Sequence, residues 1–177
     1  MTSENGLGKV HVITGPGKGK TTAAFGLAMR AAGHGYRVCI VQFIKMGGTT
    51  GEFLTAERIE NIDVVQFGAG GFVDPGSPGE DDVRAAENAL AEARKRMSDG
   101  SYGMVVLDEV NVAMSLGLVS VGAVLDAIRG RSAGTEVVLT GRDAPKELMA
   151  YADYVSVIEK GKHPFDNGVE ARKGVEW

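Results

Sequence analysis

The chain has 177 residues, 44% of them hydrophobic and 24% charged, which gives length enough for one domain with a sizeable core, whereas two separate domains would each be small. With 19 Lys+Arg against 23 Asp+Glu the net charge is -4, so no bulk basic field exists for sequence-indifferent nucleic-acid binding, and no nucleic-acid partner is expected. A single cysteine, Cys39, excludes an internal disulfide and a cysteine-rich metal site.

The first eight residues are polar and are expected to be flexible. They carry no apolar run of signal type, and no stretch nears the ~18 apolar residues of a membrane span. A cytoplasmic protein with no membrane partner is expected, as a single domain over 1–177. Glycine is over-represented, at 26 residues against a usual ~7%. That excess points to backbone that turns tightly or approaches a ligand closely.

In chain order, short β-branched runs alternate with helical patterns, the signature of a mainly parallel sheet flanked by helices. The first strand is expected at Val10–Thr14 and the first helix at Lys20–Ala32. A second strand follows at Arg37–Phe43, then a short helix near Glu52–Ile59 and a strand at Val64–Phe67. Residues 68–82 (GAGGFVDPGSPGEDD) are rich in Gly and Pro and end in acids, and read as a mobile functional loop. The clearest helix is Asp81–Met97, where Ala85, Ala89, Leu90, Ala93 and Met97 share a face. Strands at Met104–Asp108 and Glu136–Thr140 are apolar along their length, as for central parallel strands buried on both faces. Helices at Val121–Arg129 and Ala144–Ala150 and a strand at Tyr154–Glu159 complete the pattern. The tail, 161–177, shows no periodicity.

The strongest chemical signal is Thr14-Gly15-Pro16-Gly17-Lys18-Gly19-Lys20-Thr21-Thr22, set between a strand and a helix. Glycines let backbone N–H groups converge on phosphate oxygens, and the helix adds its positive dipole end. Lys20 would reach terminal phosphates, the Thr21 hydroxyl would ligate magnesium, and Lys18 adds a second cation. Counted from Gly15, the loop is one residue shorter than the usual phosphate loop. Asp108 and Glu109 end an apolar strand, where carboxylates can hold magnesium or its waters. Arg142, after another apolar strand, reads equally as a phosphate contact or a solvated arginine. Gln42, Lys45 and Glu52 flank the end of the second strand and suggest a ligand rim. His11 and His34 read as structural, while His163 stands among polar and aromatic neighbours near the tail. With no nucleophile elbow or spaced zinc motif, phosphate chemistry is the one local chemical signal.

The segments GPGKGKTTAAFGLAMRAAGHGYRV, VQFIK, the later GE, VVLDE, VVLTGR and KHPFDNGVEARKG together resemble the phosphate-loop ATP:corrinoid adenosyltransferases, from about Lys9 to Glu176. The short loop belongs to that family's pattern, usually with Asn where this chain has Pro16. The resemblance implies a RecA-like phosphate-loop fold and transfer of the 5′-deoxyadenosyl group of ATP to the cobalt of a reduced corrinoid, releasing triphosphate. It also implies that the nucleotide lies in the reverse sense, with its terminal phosphate where other phosphate-loop enzymes keep the middle one.

By the same resemblance, Gly15, Pro16, Gly17, Lys18, Gly19, Lys20, Thr21 and Thr22 cradle the triphosphate, with Lys20, Thr21 and Glu109 carrying catalysis. Thr21 and Glu109, with Asp108 nearby, are implied at the magnesium site, Arg30 near the nucleotide, and Phe72 in a corrinoid-facing loop. Two residues after Phe72 family members carry a tryptophan where this chain has Asp74, which cannot supply the same apolar wedge beneath cobalt. The tail reads EARKG where a glutamine is common before the glycine. Magnesium, ATP and a corrinoid are the implied ligands, with a flavin-dependent cobalt reductant as partner and a homodimer as assembly. Two rival readings are a generic phosphate-loop ATPase or kinase and a non-catalytic, nucleotide-gated corrinoid-binding protein.

Overall fold

The computed structural model describes residues 6–45, 47, 50–70, 73 and 77–177. Six strands, β1 (Val10–Thr14), β2 (Val38–Gln42), β3 (Ile62–Gln66), β4 (Met104–Asp108), β5 (Glu136–Thr140) and β6 (Tyr154–Val157), form one sheet in the order β3-β2-β4-β5-β1-β6. Every pairing is parallel. The helices are α1 (Lys20–Gly33), α2 (Gly51–Ala56), α3 (Glu80–Ser98), α4 (Val110–Ser115), α5 (Val121–Arg129) and α6 (Lys146–Tyr151), followed by a 3-10 turn at Pro164–Asn167. The α/β architecture with a mainly parallel sheet is as expected.

Apolar residues divide between the two faces by the period of two. Val105 and Leu107 of β4 join Ala89, Ala93 and Met97 of α3 and Val124 and Ile128 of α5 on one face. Met104 and Val106 join Phe25, Ala24 and Ala28 of α1 and Ile40 of β2 on the other. All five residues of β2, β4 and β5 are buried, which is why these strands read as continuous apolar runs. β6 differs. All four of its residues are exposed, although its backbone pairs with β1.

Several boundaries depart from expectation. β3 begins at Ile62 rather than Val64, since Val38 and Ile62 are paired across the sheet. On α3, Ala86 is fully buried with Ala89, Leu90, Ala93 and Met97, and Ala85 stands one position off that stripe. α6 starts at Lys146 because Pro145 sits at its N-cap. α4 was unanticipated: Glu109 takes a left-handed backbone, φ 63, which stops β4 abruptly and starts six helical residues.

β4 and β5 lie between β1 and β2, so α1 carries the chain over them. Parallelism then brings the ends of β1, β2, β4 and β5 to one edge of the sheet. In open α/β sheets ligands bind at that carboxyl edge.

Candidate functional site

The loop after β1 is shaped by what lies behind it. Gly15 and Gly19 adopt φ 102 and 113, angles that L side chains rarely adopt. Gly17 has a different constraint. A Cβ there would lie 2.6 Å from the Glu159 carbonyl oxygen and 2.7 Å from that of Ile158, and the Gly17 amide donates to Ile158 O at 2.7 Å. The phosphate loop is therefore built against the chain leaving β6, and the Gly17 amide faces that chain.

The two loop lysines diverge. Lys20, at the first position of α1, is buried, and its Nζ donates to the carbonyls of Gly15 (2.8 Å) and Gly17 (2.7 Å). Burial lowers its pKa, against the opposing pull of Glu109. Lys18 instead donates to the Val175 carbonyl at 2.9 Å. One cation sits among the loop's own carbonyls and the other fastens the tail to the loop.

Asp108, fully buried at the end of β4, accepts four hydrogen bonds. Thr21 Oγ1 (2.8 Å) and Thr140 Oγ1 (2.7 Å) donate to its Oδ1, while Gln42 Nε2 (2.8 Å) and Lys45 Nζ (3.0 Å) donate to Oδ2. Thr140 Oγ1 also accepts the Glu109 amide at 2.9 Å. This network ties the ends of β2, β4 and β5 to the start of α1. Gln42, expected at a ligand rim, is fully buried beneath it, where its Oε1 accepts from Gln66 Nε2. Lys45 and Glu52 do line the cavity, with Nζ and Oε1 3.9 Å apart.

Glu109 faces the cavity, and among the described residues its carboxylate takes no hydrogen bond or ion pair. Burial first, and the adjacent Asp108 charge second, raise its pKa, with Lys45, Lys20 and Arg142 opposing. A carboxyl held this way gains from a nearby cation. Thr21 and Glu109 supply hard oxygen donors of the kind magnesium takes, and Asp108 would act on such a site through the Thr21 hydroxyl it orients. No cluster of three or more His, Cys, Asp and Glu exists among the described residues, so phosphate oxygens and water would complete such a site.

The cavity at this edge has a volume of about 1280 Å³ and takes in Pro16 to Thr22, Glu109, Arg142 and His163. Arg142 is delivered by Gly141 at φ 127, where a Cβ would come within 3.0 Å of both Asn111 Cβ and the Val112 amide. Arg30 is exposed in the last turn of α1 and does not line this cavity, whereas Met29 beside it does. His163 accepts the Phe165 amide on Nδ1. His11 lies elsewhere, with Nε2 2.6 Å from Glu136 Oε1 and its ring stacked on Tyr154, and His34 is an exposed helix cap. Phe72 and Asp74 lie outside the described residues.

What sequence reading missed is the tail. Lys160, Phe165 and Val175 to Trp177 share the cavity wall with the loop. No periodic signal marks them; their local clues are the segment KHPFDNGVEARKG and the pair of turns centred on Gly168 and Gly174, with φ 76 and 79.

A family model described as "ATP:corrinoid adenosyltransferase BtuR/CobO/CobP" matches residues 6–177. A corrinoid adenosyltransferase of Pseudomonas aeruginosa is 39% identical over 175 residues, covering 98% of this chain and 85% of that protein. One from a Sinorhizobium species is 40% identical over 181 residues, with 99% and 82% coverage. One from Escherichia coli K12 is 37% identical over 172 residues, with 96% and 86% coverage.

Proposed function

The chain belongs to the ATP:corrinoid adenosyltransferase family, and from that premise we propose that it transfers the 5′-deoxyadenosyl group of ATP to the cobalt of a reduced corrinoid. The cobalt(I) electron pair attacks the ribose 5′ carbon, a cobalt–carbon bond forms, and the carbon–oxygen bond breaks with its electrons leaving on triphosphate. The observation that carries this reading is the cavity. At about 1280 Å³ it exceeds the ~300–1,000 Å³ typical of a site for one small molecule, and its lining joins the Pro16–Thr22 loop to apolar residues that include Phe25, Met29 and Ile59. Such a space suits a nucleotide together with part of a second, large substrate.

In this reading no protein nucleophile or general base is needed. The residues bind and orient ATP, and they stabilise charge developing on the leaving group. Lys20 exchanges its two carbonyl partners for phosphate oxygens. Thr21 and Glu109 would hold magnesium, which when bound supplies positive charge to the leaving triphosphate. Thr140, Gln42 and Lys45 hold Asp108 in place, and Asp108 in turn aims the Thr21 hydroxyl. Arg142 adds a cation at the rim.

The finer parts of the reading are a single domain over the whole chain, a homodimeric assembly, a cytoplasmic setting and a flavin-dependent reductant that generates cobalt(I). Among the described residues no helix is long and apolar enough to cross a membrane.

The test is product analysis. Incubated with magnesium-ATP and a chemically reduced corrinoid, the protein should release triphosphate and form a light-sensitive cobalt–carbon product. ADP and phosphate with no photolabile product would make it an ATPase or kinase. Tight binding of both ligands without turnover would make it a corrinoid carrier.

A further inference from the structure

The last six residues fold into a knot of their own. Arg172 grips the Glu176 carboxylate three times, from its amide (2.8 Å), Nε (3.2 Å) and Nη2 (3.2 Å). The Gly174 amide donates to the Trp177 main-chain oxygen at 2.6 Å, and the Glu176 amide to Arg172 O at 2.9 Å. Gly174 takes φ 79, the left-handed angle that lets so short a segment close. The knot is anchored to the phosphate loop by Lys18 Nζ on Val175 O, 2.9 Å.

This arrangement fixes one aromatic ring in the cavity wall. Trp177 lines the same cavity as Lys18, Lys20 and Thr21 and remains 43% exposed. Its Nε1–H is directed back at Ala171 O, 3.4 Å away, so the indole has its faces to offer rather than its donor. Among the described residues three other rings line the cavity, the His163 imidazole, whose Nδ1 accepts the Phe165 amide, and two phenyl rings placed differently. Phe25 is 7% exposed and packs into the core beneath α1, and Phe165 is 72% exposed on the 3-10 turn. The segment that carries the indole is hydrogen-bonded to the phosphate loop, through Lys18 Nζ on Val175 O, two residues before the tryptophan. Ordering the ring before ligand arrives removes much of the entropic cost of using it.

We propose that Trp177 is the base-stacking residue of the nucleotide site, so that the C-terminal knot, positioned by Lys18, makes the site select a nucleoside triphosphate over bare triphosphate. The proposal rests on the reading of this cavity as an ATP site. Stacking supplies affinity for the base through a π-face. Lys18 acts here as a positioning residue, holding the plate at a fixed distance from the loop that takes the phosphates.

Trp177 is the single tryptophan of the chain, so intrinsic fluorescence reports on it directly. In the full chain without corrinoid, magnesium-ATP should quench Trp177 emission and inorganic triphosphate should not. Trp177→Ala should weaken ATP binding about 5- to 100-fold, as base–aromatic stacking does, and leave triphosphate binding unchanged. Trp177→Phe should recover most of the loss, and Tyr151→Ala, at an exposed aromatic outside the cavity lining, should have little effect. Equal responses to ATP and triphosphate, in emission or in the Trp177→Ala affinities, would overturn the proposal, because the tail would then act on the phosphates alone. Unchanged ATP affinity in Trp177→Ala would overturn it as well. Absence of ATP binding by the native chain would sink the ATP-site reading and this proposal with it. Cobalt–carbon product formed normally by a Trp177→Ala variant of unchanged affinity would sink this proposal alone.

Discussion

Thr21 and Asp108, 87 positions apart, are joined by a 2.8 Å hydrogen bond in which the threonine hydroxyl donates to Oδ1. The bond fixes both the rotamer of Thr21 and the lone pairs it turns toward the cavity. Asp108 keeps Thr140, Gln42 and Lys45 when Thr21 is lost, so Thr21→Ala should cost only about 0.5–1.5 kcal/mol of stability. Adenosyl transfer should fall ~100-fold or more, in the range of a lost preorganised contact, with a raised magnesium requirement. Thr21→Ser should restore most of the rate. Thermal melts and rates across a magnesium titration check this, and a Thr21→Ala enzyme with normal magnesium dependence would remove Thr21 from the proposed metal site.

Gly17 separates steric from conformational need. Its backbone angle is not left-handed, yet an added Cβ would meet the carbonyl oxygens of Ile158 and Glu159 below 3.0 Å. Gly17→Ala should therefore push the loop off the chain after β6, costing about 1–3 kcal/mol and weakening ATP binding. Gly122→Ala, in α5 with nothing within 4 Å of the new Cβ, should instead stabilise by about 0.5–1 kcal/mol. Denaturant melts of both variants give the comparison, and equal effects would mean the loop is free to move away from residues 158–159.

Cys39 lies fully buried in β2, and burial pushes its thiol up to about 12. The thiolate is the reactive form, so a maleimide or aromatic disulfide reagent at pH 8 should label native protein no faster than the protein opens. Labelling should become immediate in denaturant. Rapid labelling of the native chain would show that β2 opens locally.

Asp153 ties β6 to β1. Its Oδ2 accepts the Val10 amide at 2.9 Å and its Oδ1 pairs with Lys9 Nζ at 3.1 Å, and these two contacts, the Val10 bond first, hold its pKa below the usual carboxylate value. A depressed folded pKa adds stability above the unfolded value of ~3.9, and that stability is lost as pH falls through the folded value. Asp153→Asn should lower the melting temperature between pH 5 and 8, by an amount corresponding to no more than about 1 kcal/mol because the pair is solvent-exposed. The difference from native protein should close below about pH 4. A gap that persists into acid would assign the effect to the amide substitution rather than to charge.

The sequence alone determined the periodic and the punctuated parts of this protein. Continuous apolar runs named β4 and β5 as central strands, Gly-Lys-Thr-Thr after a strand placed a phosphate loop, and the spread of motifs marked the family. These signals are local: a strand buried on both faces must be apolar along its length, and a loop that wraps phosphate must be rich in glycine and close on a helix. Only the tertiary structure decided where side chains at the sheet edge point, since their partners lie far off in sequence. Gln42 looked like a rim residue and turned out to be buried because Asp108 and Gln66 claim both ends of its amide. Lys18 and Lys20 look alike in sequence and take different partners, Lys20 the loop's own carbonyls and Lys18 the Val175 carbonyl. The tail had no period to reveal it because its order comes from one arginine–glutamate clamp, a left-handed glycine and a lysine on another element.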